Sequence, residues 1–183
     1  MPGKYAGFPI RLAARLIDGV AVLLTLWLAG RVAGLAIELL HLDVIPPAQS
    51  ELAMAFMGVA TLFALTLYHA VAEGIGGATL GKWLLGLRVA NDGFGPCSFG
   101  SACMRNVAFW VYLFGLGLAG GLAMAASPRK KRVGDRLAKT IVYEVGPAWR
   151  NGGLPRIGLG IVAGLVLFAL TDLAAFFACS SFG

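Results

Sequence analysis

Leu12 to Leu40 reads LAARLIDGVAVLLTLWLAGRVAGLAIELL, a stretch whose only charged residues are Arg15, Asp18, Arg31 and Glu38. At about 1.5 Å per helical residue, roughly 20 apolar residues cross a hydrocarbon layer ~30 Å thick. This run is longer than that minimum and predicts a helix that tilts or protrudes into the interface. Leu52 to Ala72 and Ile157 to Ala178 predict two further spans, and Ser101 to Ala126 forms a third apolar stretch between them. The 183 residues are 58% hydrophobic and 13% charged, whereas a soluble domain is satisfied with about 45–50% apolar residues. The excess needs lipid. Long runs of Leu, Ala and Gly lack the period-two alternation of barrel strands, so the expected fold is an all-α, polytopic transmembrane helical bundle.

Lys and Arg set the expected orientation. The loop His41 to Glu51 holds neither and is stopped by Pro46-Pro47, while the N-terminal arm carries Lys4, Arg11 and Arg15. The arm is therefore expected in the cytoplasm, the loop outside, and the protein in the cytoplasmic (inner) membrane. Leu16 to Ala29 mimics a signal peptide, but Asp18 interrupts it and the apolar pattern runs on to Leu40, which favours an uncleaved first span. After the second span, Thr79 to Arg88 reads as a short interfacial amphipathic helix, with Lys82, Trp83 and Arg88 suited to the headgroups of the cytoplasmic face.

The third apolar stretch raises a conflict. Arg129, Lys130, Lys131, Arg132, Arg136, Lys139, Arg150 and Arg156 all follow it, and a simple fourth span would carry them outside. Gly115 to Gly121 is rich in the residue that most weakens a helix. A re-entrant hairpin bending there keeps both flanks inside and is preferred over a fourth span.

The net charge of +6 sits beside apolar segments without any nucleic-acid reading module, so membrane surface is the expected partner and nucleic acid is not. Cys97, Cys103 and Cys179 have neither disulfide-framework nor metal-ligand spacing and read as small apolar fillers. Gly76 to Lys82 satisfies the first part of a phosphate-binding loop, but Trp83 stands where a hydroxyl is needed and a membrane span precedes it. No catalytic set forms around His41 or His69, so neither an enzyme nor a cofactor or metal site is expected. Gly30-x-x-x-Gly34 and Gly160-x-x-x-Gly164 are candidates for close helix contacts.

Ionisable residues inside or beside spans carry a desolvation cost unless paired or wetted. Asp18 near the inner end of the first span, with Arg15, His69 and Glu73 at similar depth, forms a candidate polar cluster. Arg31 lies roughly 20 Å further along the helix than Asp18. Under the hairpin topology the last helix brings Asp172 to that height, giving an expected Arg31–Asp172 ion pair, with Glu38 as the competing explanation. Arg129, Lys130, Lys131 and Arg132 are candidates for contact with anionic lipid.

Three blocks, taken in order, resemble the RDD family of membrane proteins. Ala6 to Asp18 looks like its Arg and first Asp signature, Gly77 to Val89 like its Gly-Thr-Gly-Lys segment, and Lys131 to Val142 like its second Asp region. The resemblance implies that Arg11, Asp18 and Asp135 are the family-defining trio and a candidate ion or proton site. A histidine often precedes the second Asp in the family; Gly134 stands there in this chain. The division expected is an RDD-like membrane domain over residues 1–145, then a linker and an additional C-terminal transmembrane helix over 146–183. Some family members are cation/proton antiporters, which implies transport. The preferred expectation, with transport as its alternative, is a non-catalytic accessory or scaffold subunit of a membrane complex, partnered by other membrane proteins or by a second copy.

Overall fold

The structure, a computed structural model, describes residues 3–41, 51–115, 124, 127–146 and 153–180. Three long helices carry the apolar runs: α1 (Phe8–Leu39), α2 (Glu51–Gly76) and, last in the chain, α6 (Leu154–Ser180). Each is long and apolar enough to cross a membrane. Helix α1 starts cleanly because Pro9 occupies its first turn, where a missing N–H costs nothing. Its lipid-sized length leaves most of it uncovered. Only Arg11, Ala14, Asp18 and Val22 are buried, all in its first half.

Helices α2 and α6 pack antiparallel and very closely. A Cβ added at Gly164 would lie 2.8 Å from the Tyr68 carbonyl oxygen, and one at Gly160 would lie 3.1 Å from that of Ala72. The Gly160-x-x-x-Gly164 motif is thus a helix contact. An added Cβ at Gly30 or Gly34 would meet nothing within 4 Å, so the other motif makes no close helix contact among the described residues. Val22, Ala64, Tyr68, Ala72 and Phe168 form the core where the three helices meet.

Helix α4 (Phe99–Gly115) enters beside the end of α2, with Phe99 against Gly74. It then runs antiparallel to α2, so that Trp110 Nε1 donates to Thr66 Oγ1 at 2.9 Å. By residue 130 the chain is back at the starting end, where the Lys130 carbonyl accepts from Arg11 at 2.9 Å. Both flanks of the third apolar stretch therefore sit at one end of the bundle. The expected bend falls largely on residues 116–121, outside the described residues.

The all-α expectation is corrected by a two-stranded antiparallel ribbon at that same end. Strand β1 (Leu87–Asn91) pairs with β2 (Thr140–Glu144) in the register Leu87 to Glu144 and Asn91 to Thr140. The N-terminal arm extends it, with Ala6 N–H donating to the Val142 carbonyl at 3.0 Å. The amphipathic helix expected over Thr79 to Arg88 is corrected too. Only α3 (Leu80–Leu84) is helical, and Gly86 at φ +66° turns the chain into β1. Its polar face meets protein rather than headgroups, for Lys82 is 4% exposed.

Helix α5 (Val133–Leu137) repeats this design. It too has five residues, a residue of positive φ (Lys139, +51°) and a five-residue strand, displaced by 53 positions from Leu80 to Val133 and from Leu87 to Thr140. Because the two strands run antiparallel, the two units face each other. Gly81 and Gly134 hold equivalent places. A Cβ at Gly81 would lie 2.0 Å from the Ala14 carbonyl oxygen of α1, and one at Gly134 would lie 2.8 Å from that of Arg105 in α4. Each unit presses its glycine onto a long helix and presents the next residue, Lys82 or Asp135, to the same interior.

Candidate functional site

That interior is a network of charged and polar side chains, almost all buried, at the end of the bundle where the ribbon lies. Three carboxylates organise it. Asp135, on α5, accepts from Arg11 of α1 at 2.6 Å and faces Arg105 of α4 at 3.2 Å. The same carboxylate caps its own helix, its Oδ2 accepting the Arg132 N–H at 3.1 Å. Arg11 is further held by donation to the carbonyls of Ala6, at 3.0 Å, and Lys130. Asp135 would rise in pKa through burial alone. The guanidiniums of Arg105 and Arg11 outweigh that and hold it below its ordinary value.

Glu73, in the last turns of α2, is wholly buried. It is ion-paired with Lys82 through one oxygen. Its other oxygen lies 3.5 Å from Arg105 Nε and accepts from Asn106 Nδ2 at 3.2 Å. Burial draws the Lys82 ammonium down to about 8, against the opposing pull of Glu73. Asn106 in turn accepts from Arg15 at 2.8 Å, and the Arg15 guanidinium stacks over the Phe109 ring.

Asp18 is the third carboxylate. It accepts from the Tyr68 hydroxyl at 2.9 Å, the Thr79 hydroxyl at 2.7 Å and the Gly81 N–H at 2.8 Å. His69 Nε2 lies 3.7 Å from it. Since His69 Nδ1 donates to the Leu65 carbonyl at 2.8 Å, a neutral ring turns a lone pair towards Asp18, and a charged ring would turn an N–H towards it.

The three sequence blocks singled out above are therefore the three walls of one site. The model of the RDD family matches residues 5–139. This chain belongs to the RDD family. No curated protein and no solved structure matches it. The RDD signature is a spatial unit here: the first block supplies Arg11, Arg15 and Asp18, the second Thr79, Gly81 and Lys82, and the last Asp135.

Within this RDD protein the candidate polar cluster of Arg15, Asp18, His69 and Glu73 is brought together, though Arg15 reaches Glu73 only through Asn106. Arg11 meets Asp135 but makes no hydrogen bond to Asp18. Tyr68, Thr79, Lys82, Arg105 and Asn106 belong to the network as well and were not among the expected site residues. Arg105 and Asn106 did have a signal, being polar side chains inside an apolar stretch.

Arg31 and Asp172 are not brought together. Arg31 is exposed, and Asp172 accepts instead from Thr61 of α2 at 2.7 Å. The physical reason is that α1 touches α6 only loosely at this height, so a long side chain there reaches lipid or its interface at lower cost than it reaches the helix contact. Of the basic block, Arg129 is exposed, Lys131 is ion-paired with Asp92 and Arg132 lies over the Phe8 ring. Gly134, where the family often has histidine, is packed too tightly against α4 to admit a side chain unless the helices part. Among the described residues no cluster of three His, Cys, Asp or Glu is placed to hold a metal.

Proposed function

We propose that this chain is a non-catalytic accessory or scaffold subunit of a membrane complex, seated in the cytoplasmic (inner) membrane with its N-terminal arm in the cytoplasm. The observation that carries this reading is the saturation of the carboxylates. Asp18 accepts three hydrogen bonds, Glu73 has Lys82, Arg105 and Asn106, and Asp135 has Arg11, Arg105 and a backbone N–H. An ion-exchange site needs ligands that can be vacated; these are tied to five separate elements and serve as a brace.

The orientation follows from Lys and Arg. In this reading the third apolar stretch is a re-entrant hairpin, supported by Phe99 and Lys130 lying at the same end of the bundle. Arg129, the exposed member of the basic block, then faces the inner leaflet, where anionic lipid attracts it. The exposed stripe Leu28, Val32, Leu35 and Leu39 on the second half of α1 is the natural face for another subunit or a second copy. Purification of the full-length protein from its membrane in mild detergent should bring down a stoichiometric partner; recovery as a lone monomer would overturn the proposal.

A second reading, cation/proton exchange through Arg11, Asp18 and Asp135, is favoured by one contact, that of His69 with Asp18, which protonation would convert into an ion pair. Against it, the proton would join a cluster in which Arg11, Arg15, Lys82 and Arg105 already outnumber the carboxylates. Proton-coupled sodium flux in proteoliposomes tests it, and a folded, reconstituted protein without flux excludes it.

A further inference from the structure

At the far end of the bundle α1, α2 and α6 do not close on one another. A cavity of about 240 Å³ lies between them, lined among others by Gly30, Gly34, Met57, Leu173 and Phe176. Its walls are apolar except at Asp172. That side chain is 5% exposed. The Thr61 hydroxyl donates to its Oδ1, while its Oδ2 has no hydrogen-bond partner among the described residues. Asp172 stands eight residues before Ser180, the end of α6, which places it about 12 Å inside the bundle.

Two observations that do not depend on each other therefore meet in this cavity. Gly30 and Gly34 give α1 a small-residue stripe that no neighbouring helix among the described residues fills, and Asp172, whose Oδ2 is an unfilled acceptor, lines the same cavity. Hydrocarbon offers no donor, so an acceptor left open there is costly. The cavity exceeds the roughly 150 Å³ that houses benzene in a protein interior. It is bordered by Leu26, itself 39% exposed, so a molecule dissolved in the bilayer could enter sideways.

We propose that this cleft binds a lipid-soluble amine, its ammonium group on Asp172 Oδ2 and its apolar body along Gly30 and Gly34. The charge argument selects the head group. Thr61 already supplies a hydroxyl donor to the carboxylate, and what remains unanswered is its charge, which an ammonium neutralises while donating up to three hydrogen bonds. An alcohol would fill the acceptor and leave the charge; a fatty acid would add a second one.

The test uses full-length protein in detergent micelles and three probes with one chain and different heads: octylamine, octanol and octanoate. Octylamine should raise the melting temperature saturably, and the other two should not. Asp172→Asn, which keeps the Thr61 contact, should raise the half-saturating concentration at least about tenfold. Gly34→Leu should do the same by filling the cleft; with open space around its Cβ it is expected to fold, and it decides the matter if Asp172→Asn does not. The proposal is overturned if octylamine has no effect, if octanol matches it, or if the folded variants respond like the wild type. It is equally overturned if Gly34→Cys forms a disulfide-linked dimer in native membranes, since the cleft would then be a contact between copies.

Discussion

Arg11 and Asp135 are 124 positions apart in the chain and 2.6 Å apart in space, both almost wholly buried. Removing one partner of a buried pair strands the other, at a cost of about 3–5 kcal/mol, far more than the pair contributes over an apolar replacement. Arg11→Met and Asp135→Leu should each destabilise the fold by that order. The double variant should lose clearly less than their sum, because neither charge is then left alone. Thermal or denaturant unfolding in micelles reads this, and strict additivity would mean the two do not act on each other.

Asp135 also sets an acid limit. Its pKa lies below the ordinary 3.8 in the folded protein, so the unfolded chain binds the proton first as pH falls. The stability it contributes is complete above its unfolded pKa and is lost as pH drops through the folded one. Wild type and Asp135→Asn should therefore differ most at neutral pH, begin to converge in melting temperature as pH falls below about 4, and meet only below the folded pKa. A difference that holds constant down to strong acid would show that the carboxylate charge is not what stabilises.

The three spans were readable because lipid imposes one simple demand, length and apolarity, on each of them. The ribbon was not. Its strands are five residues long and are started by positive-φ residues at Gly86 and Lys139, one of them not a glycine, where no local propensity announces the turn. Lys82 looks like a headgroup anchor on its own helix, and only the fold of α2 against α3 brings Glu73 to it. Asp18 and Asp135 stand out in the sequence as charges, yet whether each finds a cation or a set of neutral donors depends on chain segments far away. The internal repeat is legible in hindsight from spacing, but three identities in twelve positions, Gly81 with Gly134, Leu84 with Leu137 and Val89 with Val142, carry little weight until the strands pair.

Glycines that look alike should separate sharply. Gly81→Ala places a methyl 2.0 Å from the Ala14 carbonyl oxygen, and Gly164→Ala one 2.8 Å from that of Tyr68, backbone atoms that cannot swing aside. Each should cost at least about 1–3 kcal/mol. Gly30→Ala and Gly58→Ala, with nothing within 4 Å, should be neutral or slightly stabilising through helix propensity. Melting temperatures of the four variants would settle it, and equal losses throughout would contradict the packing described.

Gly134→His would place in this chain the histidine that its family resemblance leads one to expect before the second Asp. Its Cβ would meet the Arg105 carbonyl oxygen at 2.8 Å and the Ala108 methyl at 3.2 Å, so α5 must move away from α4. That movement would loosen the contact of Asp135 with Arg105, and Gly134→Ala should already show most of the loss.

Arg31 and Asp172 should behave as strangers. Arg31→Gln changes an exposed side chain and should shift stability by no more than about 0.5 kcal/mol. Asp172→Leu removes a buried group that accepts from Thr61, so its partner in a double-mutant cycle should be Thr61→Val. The coupling energy with Thr61 should be about 1.5–3 kcal/mol, the worth of a buried hydrogen bond to a carboxylate, and that with Arg31 indistinguishable from zero. Coupling to Arg31 instead would mean that α1 turns that residue inward in the membrane and that the loose contact between α1 and α6 closes there.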